Sequence, residues 1–249
     1  MTKKLIQLAD FSTTAPEDLK EKDIKAETEE LVERIGDLQQ RMYAERKHSV
    51  IVVLQGMDGS GKDGAVHDVF DACRITGLSL TAFKKPTEEE FAHDFLWRIH
   101  KVVPQKGTLA IFNRSHYEDI LVQWVHGWID DTKRDQRMQA INAFETMLEQ
   151  DNQTHIFKFY MHISLEEQEK QLRQRMEDPK KFWKHNPGDW EERKLWTKYM
   201  EAYEYAINNS VIPWYICPVD NRWYRNYFIA KTLATELEQL HMKMPPLPK

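Results

Sequence analysis

The chain has 249 residues, 41% of them hydrophobic and 30% charged, with a formal net charge of −5. That composition is globular and excludes the disordered and membrane-embedded classes, and no run reaches the roughly 18 apolar residues of a membrane span. The mildly acidic balance argues against a general nucleic-acid binder, which carries a basic footprint.

In chain order, residues 1–25 are polar, contain Pro16 and read as an arm with little structure. The opening MTKKLIQLADFS has no apolar run of signal-peptide length. Leu31, Ile35, Leu38 and Met42 recur at steps of four, three and four, which predicts an amphipathic helix over 26–47. Its apolar face either covers the domain or pairs with another subunit. Ser49–Gln55 is a continuous β-branched run and predicts a strand buried on both faces, as in a parallel sheet. Gly56, Gly59, Gly61 and Gly64 follow at once, four of only nine glycines in the chain. A helix from Lys62 to Arg74 and a strand from Leu78 to Phe83 come next. Thr87 and Glu90 form a capping box before a helix whose apolar face is Phe91, Phe95, Leu96 and Ile99. Thr108–Phe112 is a third strand, and helices are predicted at 115–128 and 134–150. Thr154–Ile163 is a fourth strand, after which Ser164 and Glu167 cap a long polar helix. Pro179, Pro187 and Gly188 break the next stretch before a helix from about Trp190 to Asn208. Ile212–Val219 is a last strand, in which Pro213 and Pro218 indicate an edge or an irregular ending, and Asn221–Leu240 is the last helix. Strands alternating with helices predict one α/β domain with a parallel sheet covered on both faces. The stretch 164–209 is its most independent part.

Gly56-Met-Asp-Gly-Ser-Gly-Lys62 matches the G-x-x-x-x-G-K phosphate loop (Walker A) in the required place, between a buried strand and a helix. Glycines allow backbone N–H groups to turn inward around phosphate oxygens, and the helix N-terminus adds its positive end. Gly59, Ser60, Gly61 and Gly64 are therefore candidate phosphate contacts, and Lys62 is placed to bridge the terminal phosphates. Two departures narrow the chemistry. Asp63 replaces the usual magnesium-binding Ser or Thr, and Asp58 sits inside the loop. Carboxylates beside a phosphate cradle imply intervening cations, although Asp63 could equally cap the helix. At the end of the third strand, where an acid is expected, stands Asn113. Arg114 follows it, and Glu118 and Asp119 come a turn later. Between Lys170 and His185, Lys170, Arg173, Arg175, Lys180, Lys181 and Lys184 face only Glu177 and Asp178, a local +4 that leaves −9 for the rest. Such a lid suits a long polyanion and would exclude water on closing.

GMDGSGKDG, FKKPTEEE-FAHDFLWRIHK, FNRSHYEDILV and the late PVDNRWYRN resemble the polyphosphate kinase 2 family over roughly residues 30–240. The resemblance is greatest to its class III members, which carry a nucleoside monophosphate through the diphosphate to the triphosphate. It implies a P-loop kinase-like, three-layer αβα fold with a helical lid. It also implies reversible, Mg²⁺-dependent (or Mn²⁺-dependent) transfer between inorganic polyphosphate and AMP, ADP or another nucleotide. Lys62 matches the catalytic lysine, Asp58 the metal-associated aspartate and Arg114 the arginine after the third strand. Where this chain has Asn113 many members have Asp, so Glu118 is the candidate second metal ligand, with Asp63 a third. Lys84, Lys85, Tyr117, Asp220 and Asn221 become candidate nucleotide contacts. Arg173, Arg175, Lys180, Lys181 and Lys184 become candidate polyphosphate contacts. His116 reads as structural, and Trp183, Trp190 and Trp196 as packing rather than base contacts. A cytoplasmic homo-oligomer with Cys73 and Cys217 reduced is expected, with no nucleic-acid or membrane partner. The rival readings are an ATP-dependent nucleoside monophosphate kinase and a non-catalytic nucleotide- or polyphosphate-binding module.

Overall fold

The computed structural model describes residues 5–247. Five parallel strands form one sheet in the order β2-β3-β1-β4-β5: β1 Ser49–Gln55, β2 Leu78–Ala82, β3 Leu109–Asn113, β4 Thr154–His162 and β5 Trp214–Pro218. The central strand shows why the sheet forms. Every residue of β1 is buried. Val50, Val52 and Leu54 join one core with Leu38, Met42 and Leu233; Ile51 and Val53 join another with Ile99, Phe112, Phe144 and Leu148. A period of two thus feeds both faces of the sheet, which makes a three-layer α/β fold. Each such aliphatic side chain stabilises the fold by up to about 1.5–3 kcal/mol. A charge at Val52 would have no water to reach.

Ten α-helices are described. They are α1 Glu21–Glu45, α2 Lys62–Val69, α3 Glu88–Phe91, α4 Trp97–His100, α5 Glu118–Val125, α6 Asp131–Asn152, α7 Leu165–Glu177, α8 Gly188–Lys194, α9 Trp196–Asn209 and α10 Arg222–Glu238. The apolar face of α1 lies along α10 and buries Ile24, Ile35, Leu38 and Met42. It therefore covers the domain, one of its two expected roles. The Thr87–Glu90 capping box and the Ser164 cap on α7 form as expected.

Three expectations are corrected. The arm has more structure than expected over 5–25, residues 1–4 lying outside the described residues: Leu8 is buried, its N–H donates to Glu204 Oε1 (2.7 Å), the Ile6 N–H donates to Asn208 Oδ1 (2.8 Å), and α1 begins at Glu21. The predicted helix around Phe91 is two short helices, and Phe91 itself is exposed. The predicted helix over 190–208 is two helices that meet at Leu195, and Pro179–Lys184 before them is a 3-10 turn.

Candidate active site

The carboxyl end of β1 feeds the glycine loop, which turns into α2. Gly59 (φ +89°) and Gly61 (φ +82°) adopt the left-handed backbone that other residues avoid. At Gly61 there is a second reason for glycine, because a Cβ would lie 2.3 Å from Arg225 Nη1. Arg225, from α10, is 2% exposed. Its Nη1 donates to the Gly61 carbonyl (3.1 Å) and its Nη2 to Asp68 (3.2 Å). Sequence reasoning missed it; only its place in PVDNRWYRN pointed there.

Lys62 is the first residue of α2. Its Nζ donates to the carbonyls of Gly56 (2.8 Å) and Met57 (3.0 Å). Burial, together with the nearby Arg114 charge, lowers its pKa to about 8. Arg114 leaves β3 with φ +63°, a strained conformation of the kind held at functional sites. Its Nη2 donates to Asp58 Oδ1 (2.5 Å) and its Nη1 to Glu118 Oε2 (3.1 Å). Burial alone would raise the pKa of Asp58, but Arg114 and Lys62 override it and hold the carboxyl below its ordinary range. The other Glu118 oxygen accepts from Gln55 Nε2. Glu118 sits behind Arg114 and does not line the cavity. That placement favours orienting Arg114 over holding a metal.

Asp63, in place of the usual Ser or Thr, touches Asn113, which stands where an acid is expected. Asn113 Nδ2 donates to Asp63 Oδ1 (2.8 Å), and Lys184 from the lid donates to Asp63 Oδ2 (3.1 Å). Burial raises the Asp63 pKa, but these two donors outweigh it and lower the net value. Asp63 thus joins the loop, the end of β3 and the lid.

These groups surround a cavity of about 540 Å³ at the carboxyl edge of the sheet. Eight cationic side chains line it (Lys62, Lys84, Arg114, Arg175, Lys181, Lys184, Arg222 and Arg225) against the four carboxylates Asp58, Asp63, Asp68 and Glu167. Among the predicted lid contacts, Arg175, Lys181 and Lys184 face it; Arg175 also pairs with Asp189 (2.5 Å) across α7 and α8. Arg173 and Lys180 do not. Arg173 points outward and pairs with Glu169 on its own helix, with its side chain 58% exposed.

Among the predicted nucleotide contacts, Lys84 lines the cavity and Lys85 does not. Tyr117 is corrected: it is fully buried, and its hydroxyl meets Lys158 and Ser210. Asp220 and Asn221 face the arm instead. Asp220 accepts from Thr13 Oγ1 (2.8 Å) and the Ser164 N–H (2.9 Å), and Asn221 accepts from the Ala15 N–H (2.9 Å). Trp183 does not pack; it is 77% exposed. Trp196 packs on the main core, and Arg173 lies over the ring of Trp190. His116 is buried and bonded to Glu145, a structural placement as expected.

Comparison with known proteins is consistent over most of the chain. The family model described as polyphosphate kinase 2 matches residues 18–245. A Meiothermus ruber protein named AMP/ADP-polyphosphate phosphotransferase is 46% identical over 85% of this chain and 80% of its own. A Rhodopseudomonas palustris protein named ADP-polyphosphate phosphotransferase is 35% identical over 86% of this chain and 79% of its own. The crystal structure of polyphosphate kinase 2 from Arthrobacter aurescens superposes with a TM-score of 0.94 at 37% identity, covering 98% of this chain and 89% of that one. The chain belongs to the polyphosphate kinase 2 family.

Proposed function

We propose that this chain transfers a phosphoryl group reversibly between inorganic polyphosphate and AMP or ADP. The observation that carries the reading is the charge of the cavity. A protein of net charge −5 lines one cavity with twice as many cations as carboxylates. Such a field attracts a polyanion longer than a single nucleotide. Phosphoryl transfer asks a protein mainly to position groups and neutralise charge. Lys62 and the loop N–H groups hold the phosphate being transferred, Arg114 offsets charge that develops on it, and Arg175, Lys181 and Lys184 hold the donor chain. Lys84 is placed for the acceptor phosphates.

Among the described residues, no group of three or more His, Cys, Asp or Glu side chains could hold a metal alone. Mg²⁺ is commonly held by one or two carboxylates plus substrate phosphates. The all-oxygen set of Asp58 and Asp63 at the cavity wall fits it, and Mn²⁺ suits the same donors. When bound there, the cation supplies charge neutralisation between the phosphates. Acceptance of both AMP and ADP, the class III pattern, is supported by the name of the Meiothermus ruber relative.

A homo-oligomer rests on the family resemblance alone, because α10 covers the apolar face of α1. No helix among the described residues is long and apolar enough to cross a membrane. A cytoplasmic location belongs to the same proposal, with Cys73 and Cys217 as free thiols.

The test supplies AMP or ADP with either polyphosphate or ATP as sole donor. ATP formed from ADP and polyphosphate is the expected result. Activity with ATP alone, or binding without turnover, would refute it.

A further inference from the structure

Lys158 is fully buried in the middle of β4, and Glu145 of α6 is 1% exposed beside it. Their ion pair is 2.6 Å long. A buried pair of charges adds little net stability compared with an apolar pair of the same shape, so such an arrangement needs another explanation. Its neighbours supply one. Glu145 Oε1 meets His116 Nε2 at 3.1 Å, and Lys158 Nζ donates to the Tyr117 hydroxyl at 2.6 Å. His116 and Tyr117 are the second and third residues after Arg114. The other nitrogen of His116, Nδ1, is buried without a partner, so Glu145 is the polar anchor of that ring.

The rest of the segment is held as firmly. Ser115 Oγ donates to Gln55 Oε1 (3.1 Å) and accepts the Tyr117 N–H (3.2 Å). The Tyr117 hydroxyl also meets Ser210 Oγ (3.2 Å), just past the C-terminus of α9. Arg114, in its left-handed conformation, therefore sits at the head of a segment whose following side chains are tied to β1, α6, β4 and the base of the lid. Its own fork then spans Asp58 and Glu118.

We infer that Glu145 and Lys158 are positioning residues for Arg114: they fix His116 and Tyr117 and so hold the guanidinium in the geometry that phosphoryl transfer uses. This rests on the proposed role of Arg114 and extends it to two residues that reach neither the cavity nor a substrate.

The decisive variant is Glu145→Leu with Lys158→Met, which removes both charges of the pair together with the acceptor for His116 and the donor to Tyr117, at similar volume. It is compared with Glu145→Gln alone and with Arg114→Ala. Each is assayed for thermal midpoint and, with polyphosphate as donor, for kcat and for KM towards ADP. The double variant is expected to hold a midpoint near wild type while kcat falls about tenfold or more, with little change in KM. Glu145→Gln alone is expected to lose both midpoint and kcat. A merely structural pair would let kcat recover with the midpoint in the double variant, and that result would overturn the inference. Full-rate Arg114→Ala would remove the role of Arg114 itself, and the clamp with it. Inactive Arg114→Ala beside a full-rate double variant would refute the clamp alone.

Discussion

Replacing Gly61 by alanine puts a methyl group where the Arg225 guanidinium already lies. The Cβ would sit 2.3 Å from Nη1, and the backbone φ is +82°. The left-handed conformation costs an alanine about 1–2 kcal/mol. Moving Arg225 aside breaks its bonds to the Gly61 carbonyl and Asp68, and a hydrogen bond to a charged group contributes about 1.5–3 kcal/mol. The sum is at least about 4 kcal/mol, which for a chain of this size lowers the thermal midpoint by at least about 8 °C. Gly127 is the control. It also has a positive φ (+69°), but a Cβ there meets nothing within 4 Å, so Gly127→Ala carries only the strain, about 1–2 kcal/mol. Differential scanning calorimetry of both variants, with and without Arg225→Ala, completes a double-mutant cycle. In the Arg225→Ala background the cost of Gly61→Ala is expected to shrink to that of Gly127→Ala. Equal shifts for the two glycines in the wild-type background would refute the packing of Arg225 against the loop.

Other expectations follow from the same geometry. Arg175→Ala is expected to raise KM for long-chain polyphosphate about tenfold, or about 1.4 kcal/mol, whereas Arg173→Ala, which removes an exposed pair, leaves it nearly unchanged; equal effects would count against the cavity as the donor channel. Arg98→Met removes one partner of the buried Arg98–Asp119 pair and is expected to cost about 3 kcal/mol in urea unfolding, and, since Arg98 also holds the Lys84 carbonyl, to raise KM for the acceptor; a loss below about 1 kcal/mol would contradict that burial. The Lys62 amine, with a folded pKa of about 8 below its ordinary 10.5, is charged below pH 8 in the free protein. Phosphate affinity is expected to fall as pH rises through that value. The unfolded state binds the extra proton between about 8 and 10.5, so this group adds stability as pH rises across that window. Titration of polyphosphate affinity from pH 6.5 to 9.5 checks it, and an inflection that survives in Lys62→Met would assign it elsewhere.

Much of this was legible in the sequence for physical reasons. SVIVVLQ can be stable only where both faces are covered, so β1 was found at its bounds. Glycine is scarce in the chain and clusters in the phosphate loop, where Gly59 and Gly61 take positive φ and Gly56 leaves no room for a Cβ, so the loop is readable. Thr87 and Glu90 are reciprocal local partners, and local partners are readable. Long-range contacts were not. The arm reads as having little structure because its anchors, from Leu8 and the N–H groups bonded to Glu204 and Asn208 to the contacts of Thr13 and Ala15 with Asp220 and Asn221, are some two hundred residues away. Tyr117 lies in the most distinctive motif, which points to a ligand contact, yet it holds that motif in place from behind. Arg173 and Arg175 are two residues apart, on different sides of α7, and charge counting could not tell the side facing the cavity from the side facing solvent. Lys158 shows no partner in the sequence, because Glu145 lies on a separate helix.

Where the phosphoryl group comes from, and which lysine it passes, define the reaction most directly. The measurement is transfer of ³²P from end-labelled polyphosphate to ADP in the presence of Mg²⁺, by the wild-type chain and by Lys62→Ala. Labelled ATP from the wild type and none above background from Lys62→Ala is the expected result. Label that stays in polyphosphate with the wild type, or appears in ATP at wild-type rates with Lys62→Ala, would contradict the account.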